Sequence, residues 1–180
     1  MERFPKYTLE QFICLYDETR IRYENLGKVM KPHNWGVSDV MEWDFLTVKE
    51  TQQDLANTID YQKIIEIITR LTGYPQEKIL NKLWFDVFHF IKFVQESIER
   101  INEVELKLAV EPDADEQAAG IEMYNQFGFF VTVDRLAGGD PLKYEAVGAL
   151  PYSVVFSKLL LNLTDQQFMK EYHRIKSRPK

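Results

Sequence analysis

Apolar residues recur at three- and four-residue intervals through the middle of the chain, between Asp60 and Leu108. Ile64, Ile65, Ile67, Ile68 and Leu71 form one face at helical spacing. Thr72-Gly73 ends that face, because glycine closes a helix in the left-handed conformation at little cost. Tyr74-Pro75 reopens a helix, since proline in the first turn gives up no hydrogen bond. A third run places Trp84, Val87, Ile91, Val94, Ile98 and Ile101 every three or four residues, with Asp86 set to cap it. Phe88, Phe90 and Phe93 widen the apolar surface at its start; past Glu96 it narrows to a seam of Ile98, Ile101, Val104 and Leu108 between charges. The pattern predicts a helix that starts in a core and ends as a stripe offered to something else. Either the C-terminal helix covers the stripe through Leu159, Leu160 and Leu163, or another protein or a second copy does.

The flanking segments read as helices too. Thr8-Leu9-Glu10-Gln11 has the form of a capping box, followed by one face of Leu9, Phe12, Ile13 and Tyr16 on a helix that ends before Gly27. Lys31 to Gly36 is loop-like by its Pro, Asn and Gly. Ser38 or Asp39 can cap a helix from Val40 to about Ala56, although its second half is almost wholly polar. Phe127 to Val133 has the composition of a strand, yet Met123, Phe127, Phe130 and Ala137 trace a helical face, and a lone strand has nothing to pair with. Gly138-Gly139 is expected to close that helix, and Asp140-Pro141 to open a short one ending at Gly148. The last helix begins near Pro151, with Val155, Phe156, Leu159, Leu160 and Leu163 on its face, and is expected to break at Asn162 to Asp165. The expected fold is therefore all-α, an irregular bundle of about six to eight helices with no substantial sheet. A single domain over 1–180 accommodates it, with 109–115 a candidate linker between an N-terminal and a C-terminal lobe.

Composition narrows the function classes. In 180 residues there are 8 Gly, 7 Pro and 12 Phe, which disfavours a turn-rich β protein and supplies a core. Cys14 is the single cysteine, so no intrachain disulfide forms and a reducing compartment is the default. No apolar leader or spanning segment is evident, so no membrane is expected. The net charge of −6 opposes general nucleic-acid binding. Charge is unevenly spread: Glu99 to Glu122 is acidic, whereas Lys170, Arg174, Lys176, Arg178 and Lys180 make the C-terminal end basic. That basic end complements the negative end of a last helix, or docks an acidic partner or nucleic acid. Arg174 and Lys176 join the seam residues as candidate partner-binding positions.

Catalytic and metal constellations are thin. Asp86 and His89 stand three apart without a third ligand; Asp86 reads as a cap and His89 as part of an aromatic face. Asp113-Ala114-Asp115-Glu116 lacks the glycine and terminal glutamate of a calcium loop, and Cys14 is expected to be inert and at least partly buried within a helix. Gly138-Gly139-Asp140 is a turn, because no Lys-Ser/Thr follows as in a phosphate loop. No nucleophile, metal or cofactor set is expected, and hence no enzyme.

Three segments together resemble the tail assembly chaperones of bacteriophages: Tyr7 to Asp17 (YTLEQFICLYD), Ile64 to Leu83 (IIEIITRLTGYPQEKILNKL) and Phe127 to Phe156, with its F-G-F-F and L-A-G-G-D elements. Arg22 to Thr58 departs from that pattern as an insertion. The resemblance implies a helical, non-enzymatic protein of the host cytoplasm that binds the helical tape-measure protein during virion assembly. The alternative is a structural subunit of the particle, a connector or baseplate component retained in the virion.

Overall fold

The structure, a computed structural model, describes residues 6–27, 30–57 and 60–177. Among the described residues it is all-α, with ten α-helices, four short 3₁₀ segments and no strand beyond two isolated bridges. Four of the ten are single turns of 5 residues, which is why the sequence pattern predicts fewer. Arg178 and Lys180 of the basic end lie outside the described residues.

Two compact units divide the chain, one of Met1–Val40 with Thr47–Arg100 and one of Met41–Leu46 with Ile101–Lys180. The segment 109–115 falls inside the second.

In the first unit, α1 (Leu9–Ile13) carries the expected capping box: the Gln11 amide donates to Thr8 Oγ1 at 3.3 Å, and Gln11 Oε1 accepts from the Thr8 amide at 3.1 Å. The helix does not run on as the sequence suggests. Cys14 caps its C-terminus and is exposed, Tyr16 points into solvent, and α2 (Asp17–Gly27) starts afresh and includes Gly27. Cys14 therefore sits on a surface bend, not mid-helix. Alpha-3 (Phe45–Leu55) follows a 3₁₀ turn at Val40–Glu42, so the single helix expected from Val40 is split. Its polar second half is held by partners invisible to an apolar pattern. Arg70 on α4 (Tyr61–Thr72) donates to Asp54 at 2.9 Å and pairs with Glu50 at 3.1 Å, while buried Thr51 donates to the Thr47 carbonyl at 2.7 Å. Asp60 caps α4, and Gly73, with φ +68, closes it as expected. After α5 (Gln76–Leu80), the long helix α6 spans Trp84–Glu105.

Helix α6 begins two residues before Asp86, which lies in its first turn and is not its cap. The cause is a backbone clasp: the Leu9 amide donates to the Lys82 carbonyl at 2.7 Å, and the Trp84 amide to the Tyr7 carbonyl at 3.1 Å. Hydrogen bonds to the N-terminal segment thus fix where the helix starts. Trp84 then stacks on Phe12 at 4.9 Å between centroids, and Phe88 meets both rings edge-on. Trp35, at φ +49, anchors the 31–36 loop by stacking on Phe90 at 4.5 Å.

The second unit contains α7 (Ala114–Ala118), a 3₁₀ run at Ile121–Phe127, α8 (Phe130–Ala137), α9 (Tyr144–Gly148) and α10 (Tyr152–Lys176). Phe127 to Val133 forms no strand, but the one helical face expected from Met123 to Ala137 is split: the 3₁₀ run ends at Phe127, Gly128 turns the chain at φ +52, and α8 starts at Phe130. Gly138 and Gly139 both take positive φ after α8, and the Asp140 side chain accepts from the Leu142 amide ahead of Pro141 and α9. Helix α10 is unbroken, contrary to the expected interruption at Asn162 to Asp165. It contains neither Gly nor Pro, and the Thr164 hydroxyl turns back to the Leu160 carbonyl at 2.9 Å instead of opening the chain. The Phe45 amide donates to the Leu150 carbonyl and the Tyr152 amide to the Trp43 carbonyl, each at 2.8 Å, binding 41–46 to the start of α10.

Two half-buried or buried phenols donate to carboxylates, Tyr61 to Glu24 and Tyr152 to Glu105, the latter at 2.5 Å. Burial first, and then the hydrogen-bonded carboxylate, hold both well above the ordinary tyrosine value. A raised folded value means the contribution is intact below about pH 10, the unfolded phenol's value, and is lost as pH rises beyond it. The melting temperature should fall as pH rises above about 10, and a Tyr61→Phe, Tyr152→Phe double variant should show a shallower fall there.

Candidate functional site

The seam expected to be offered by α6 is closed from within. Ile98 and Ile101 are 3% and 0% exposed, and Val104 and Leu108 are half-buried. Ile98 belongs to the first unit and Ile101 to the second, so the apolar pattern that looked like one open stripe supplies core to both. Beyond Ile101, α10 packs against the 3₁₀ turn Leu106–Leu108, and Tyr152 reaches Glu105. Helix α10 thus meets the far end of the seam, at Glu105 and Leu106–Leu108. Its buried residues are Tyr152 and Val155, however, not Leu159, Leu160 and Leu163. Ile98 and Ile101 are thus core residues and not exposed partner-binding positions.

What the chain leaves open is the other end of α10. From Thr164 to Ser177 every residue is exposed. The helix persists there because no breaker intervenes and because His173, Arg174 and Lys176 sit in its last turn, opposite in sign to the helix's negative end. Arg174 is paired with Glu171 at 2.5 Å, and Lys170 reaches Asp113 at 3.6 Å. Lys176 is exposed in the last turn. Along one side stand Val154, Leu161, Phe168 and Ile175, seven residues apart and each at least half exposed. Seven-residue spacing keeps side chains in line along a helix that faces another helix. Met169 and Tyr172 broaden the line; the Phe168 and Tyr172 rings lie 6.2 Å apart. An unsupported helix end of this length is marginal in water, since helices are held mainly by packing. Its apolar side chains are thus available for a cover from outside the chain.

The second open feature is a groove of about 730 Å³ in the same unit, lined by Pro112, Ile121, Glu122, Tyr124, Asn125, Gly128, Val131 and Arg135. The Arg135 guanidinium lies 5.9 Å from the centre of the Tyr124 ring. Met123, Phe127 and Phe130 are exposed nearby in sequence. Asp113, ahead of the groove, caps α7 in a capping box with Glu116; hydrogen bonding from the Glu116 amide holds its carboxyl below the usual range.

His89 lies edge-on to Phe85 on α6, and among the described residues no group of three or more His, Cys, Asp or Glu could hold a metal. No helix among the described residues is long and apolar enough to cross a membrane. The open face of α10 carried a signal in the sequence, the repeat of seven through Phe168 and Ile175, hidden by the expectation of a break at 162–165. Comparison with protein-family models, with curated proteins and with solved structures found no match.

Proposed function

We propose that this protein is a non-enzymatic binding module that docks a helical partner on the outer half of α10. The observation that carries this reading is the line Leu161, Phe168, Ile175 on a helix whose residues are all exposed from Thr164 onward. Helix-to-helix recognition uses such lines of apolar anchors. Lys170, Arg174 and Lys176 outweigh Asp165 and Glu171 on this half, which makes an acidic amphipathic helix the matching partner. The resemblance to phage tail assembly chaperones gives that partner an identity: the tape-measure protein, kept soluble in the host cytoplasm until the tail tube forms around it.

Co-expression with a phage tape-measure protein encoded beside this chain tests the reading. The partner should remain soluble and co-purify with the wild-type chain, and should precipitate when Phe168 and Tyr172 are both changed to Ser. A tape-measure protein equally soluble without the chain would overturn it. Sedimentation of purified particles separates the alternative, since a structural subunit of the connector or baseplate would travel with them.

A further inference from the structure

The two open features of the second unit complement each other in polarity and charge, and we infer that a second copy of this chain brings them together. On one side is a helix end with Phe168 and Tyr172 as knobs and a basic balance from Lys170, Arg174 and Lys176. On the other is the groove walled by Ile121, Tyr124 and Val131, with Glu122 and Arg135 balancing one another in its lining and the acids Glu111 and Asp113 just ahead of it in sequence. A groove of about 730 Å³ has room for the aromatic knobs of a helix.

Within one copy, Lys170 meets Asp113 at 3.6 Å, so the basic helix end and the acidic lip of the groove lie side by side in one unit. That arrangement suits a two-fold pairing, in which the helix end of each copy enters the groove of the other and every contact is made twice. Pairing two α10 ends directly would set like charges together, which opposes that alternative. The exposed residues Leu161, Phe168, Met169, Tyr172 and Ile175 on one side, with the groove residues Ile121, Tyr124 and Val131 on the other, are contributed by both copies. A specific interface needs roughly 1,000 Å² of buried surface, and large side chains used twice are the economical way to supply it. The paired state covers the face proposed above for the helical partner, so self-association and partner capture exclude one another. Only this exclusion rests on the proposed function; the pairing itself does not.

Sedimentation velocity on the purified chain alone tests the pairing. At tens of micromolar the wild type should show a two-copy mass. A Lys170→Glu, Arg174→Glu, Lys176→Glu variant and a Glu111→Lys, Glu122→Lys variant should each be monomeric, with dissociation constants raised at least about tenfold. Circular dichroism should show both to remain helical. Mixing the two variants should restore the two-copy mass, because both helix-to-groove contacts then join opposite charges. A monomeric wild type, a reversal that leaves the mass unchanged, or a mixture that stays monomeric would each overturn the inference. No partner protein is present, so its failure leaves the helical-partner reading standing and separately testable.

Discussion

Changing Ile98 and Ile101 together to Ser should lower the stability of the isolated protein by at least about 4 kcal/mol. Each side chain is buried in the single chain, at 3% and 0% exposure. Large-to-small changes at such sites typically cost about 2–5 kcal/mol each, and a buried hydroxyl without a partner adds to that. The two positions are one helical turn apart on α6, so their effects need not sum fully. A loss of this size is a large share of the roughly 5–15 kcal/mol that holds a domain folded. It should lower the melting temperature by about 8–16 °C. Val104→Ser, at a half-buried position further along the same face, should cost clearly less. A double variant that melts like the wild type would place both isoleucines outside the core.

Trp84→Ala should cost about 3–5 kcal/mol, read by urea denaturation. Trp84 is fully buried and joins three parts of the first unit: Phe12 stacked at 4.9 Å, Tyr23 tilted at 5.4 Å, and Phe88 edge-on at 5.5 Å. Its amide also belongs to the clasp that sets the start of α6, through the Tyr7 carbonyl. Alanine keeps the amide but empties the ring site. Trp84→Phe should therefore recover a substantial part of the loss, because a smaller ring can still stack on Phe12. Equal losses for Ala and Phe would mean that indole shape, and not aromatic packing, governs the site.

The helices with strong apolar periodicity or local caps were legible from residues alone. Gly73, the Thr8–Gln11 box and the Gly138-Gly139 stop act through their immediate neighbours, so local sequence specifies them. The start of α6 was not legible, because it depends on a hydrogen bond accepted by the Tyr7 carbonyl and one donated by the Leu9 amide, both distant in sequence. The polar half of α3 depends likewise on Arg70, and the bend at Cys14 on where α2 restarts. The cover over Ile98 and Ile101 was the hardest to read. Periodicity shows that a face is apolar, but burial is decided by what folds onto it. The same limit hid the outer half of α10, whose apolar line is visible in the sequence but whose exposure is a property of the whole unit.

The most direct test of the docking face is a paired measurement on a Phe168→Ser, Tyr172→Ser, Ile175→Ser variant: its melting temperature, and the mass of the complexes it forms with itself and with a helical partner. All three residues are more exposed than Ile98 or Ile101 by a wide margin, Phe168 at 65%. At concentrations where the chain is monomeric the variant should melt within about 2 °C of wild type, as surface changes do, while both kinds of complex are lost. A melting temperature lowered as far as that of the Ile98→Ser, Ile101→Ser variant, or complexes of unchanged mass, would contradict a docking role for this helix end.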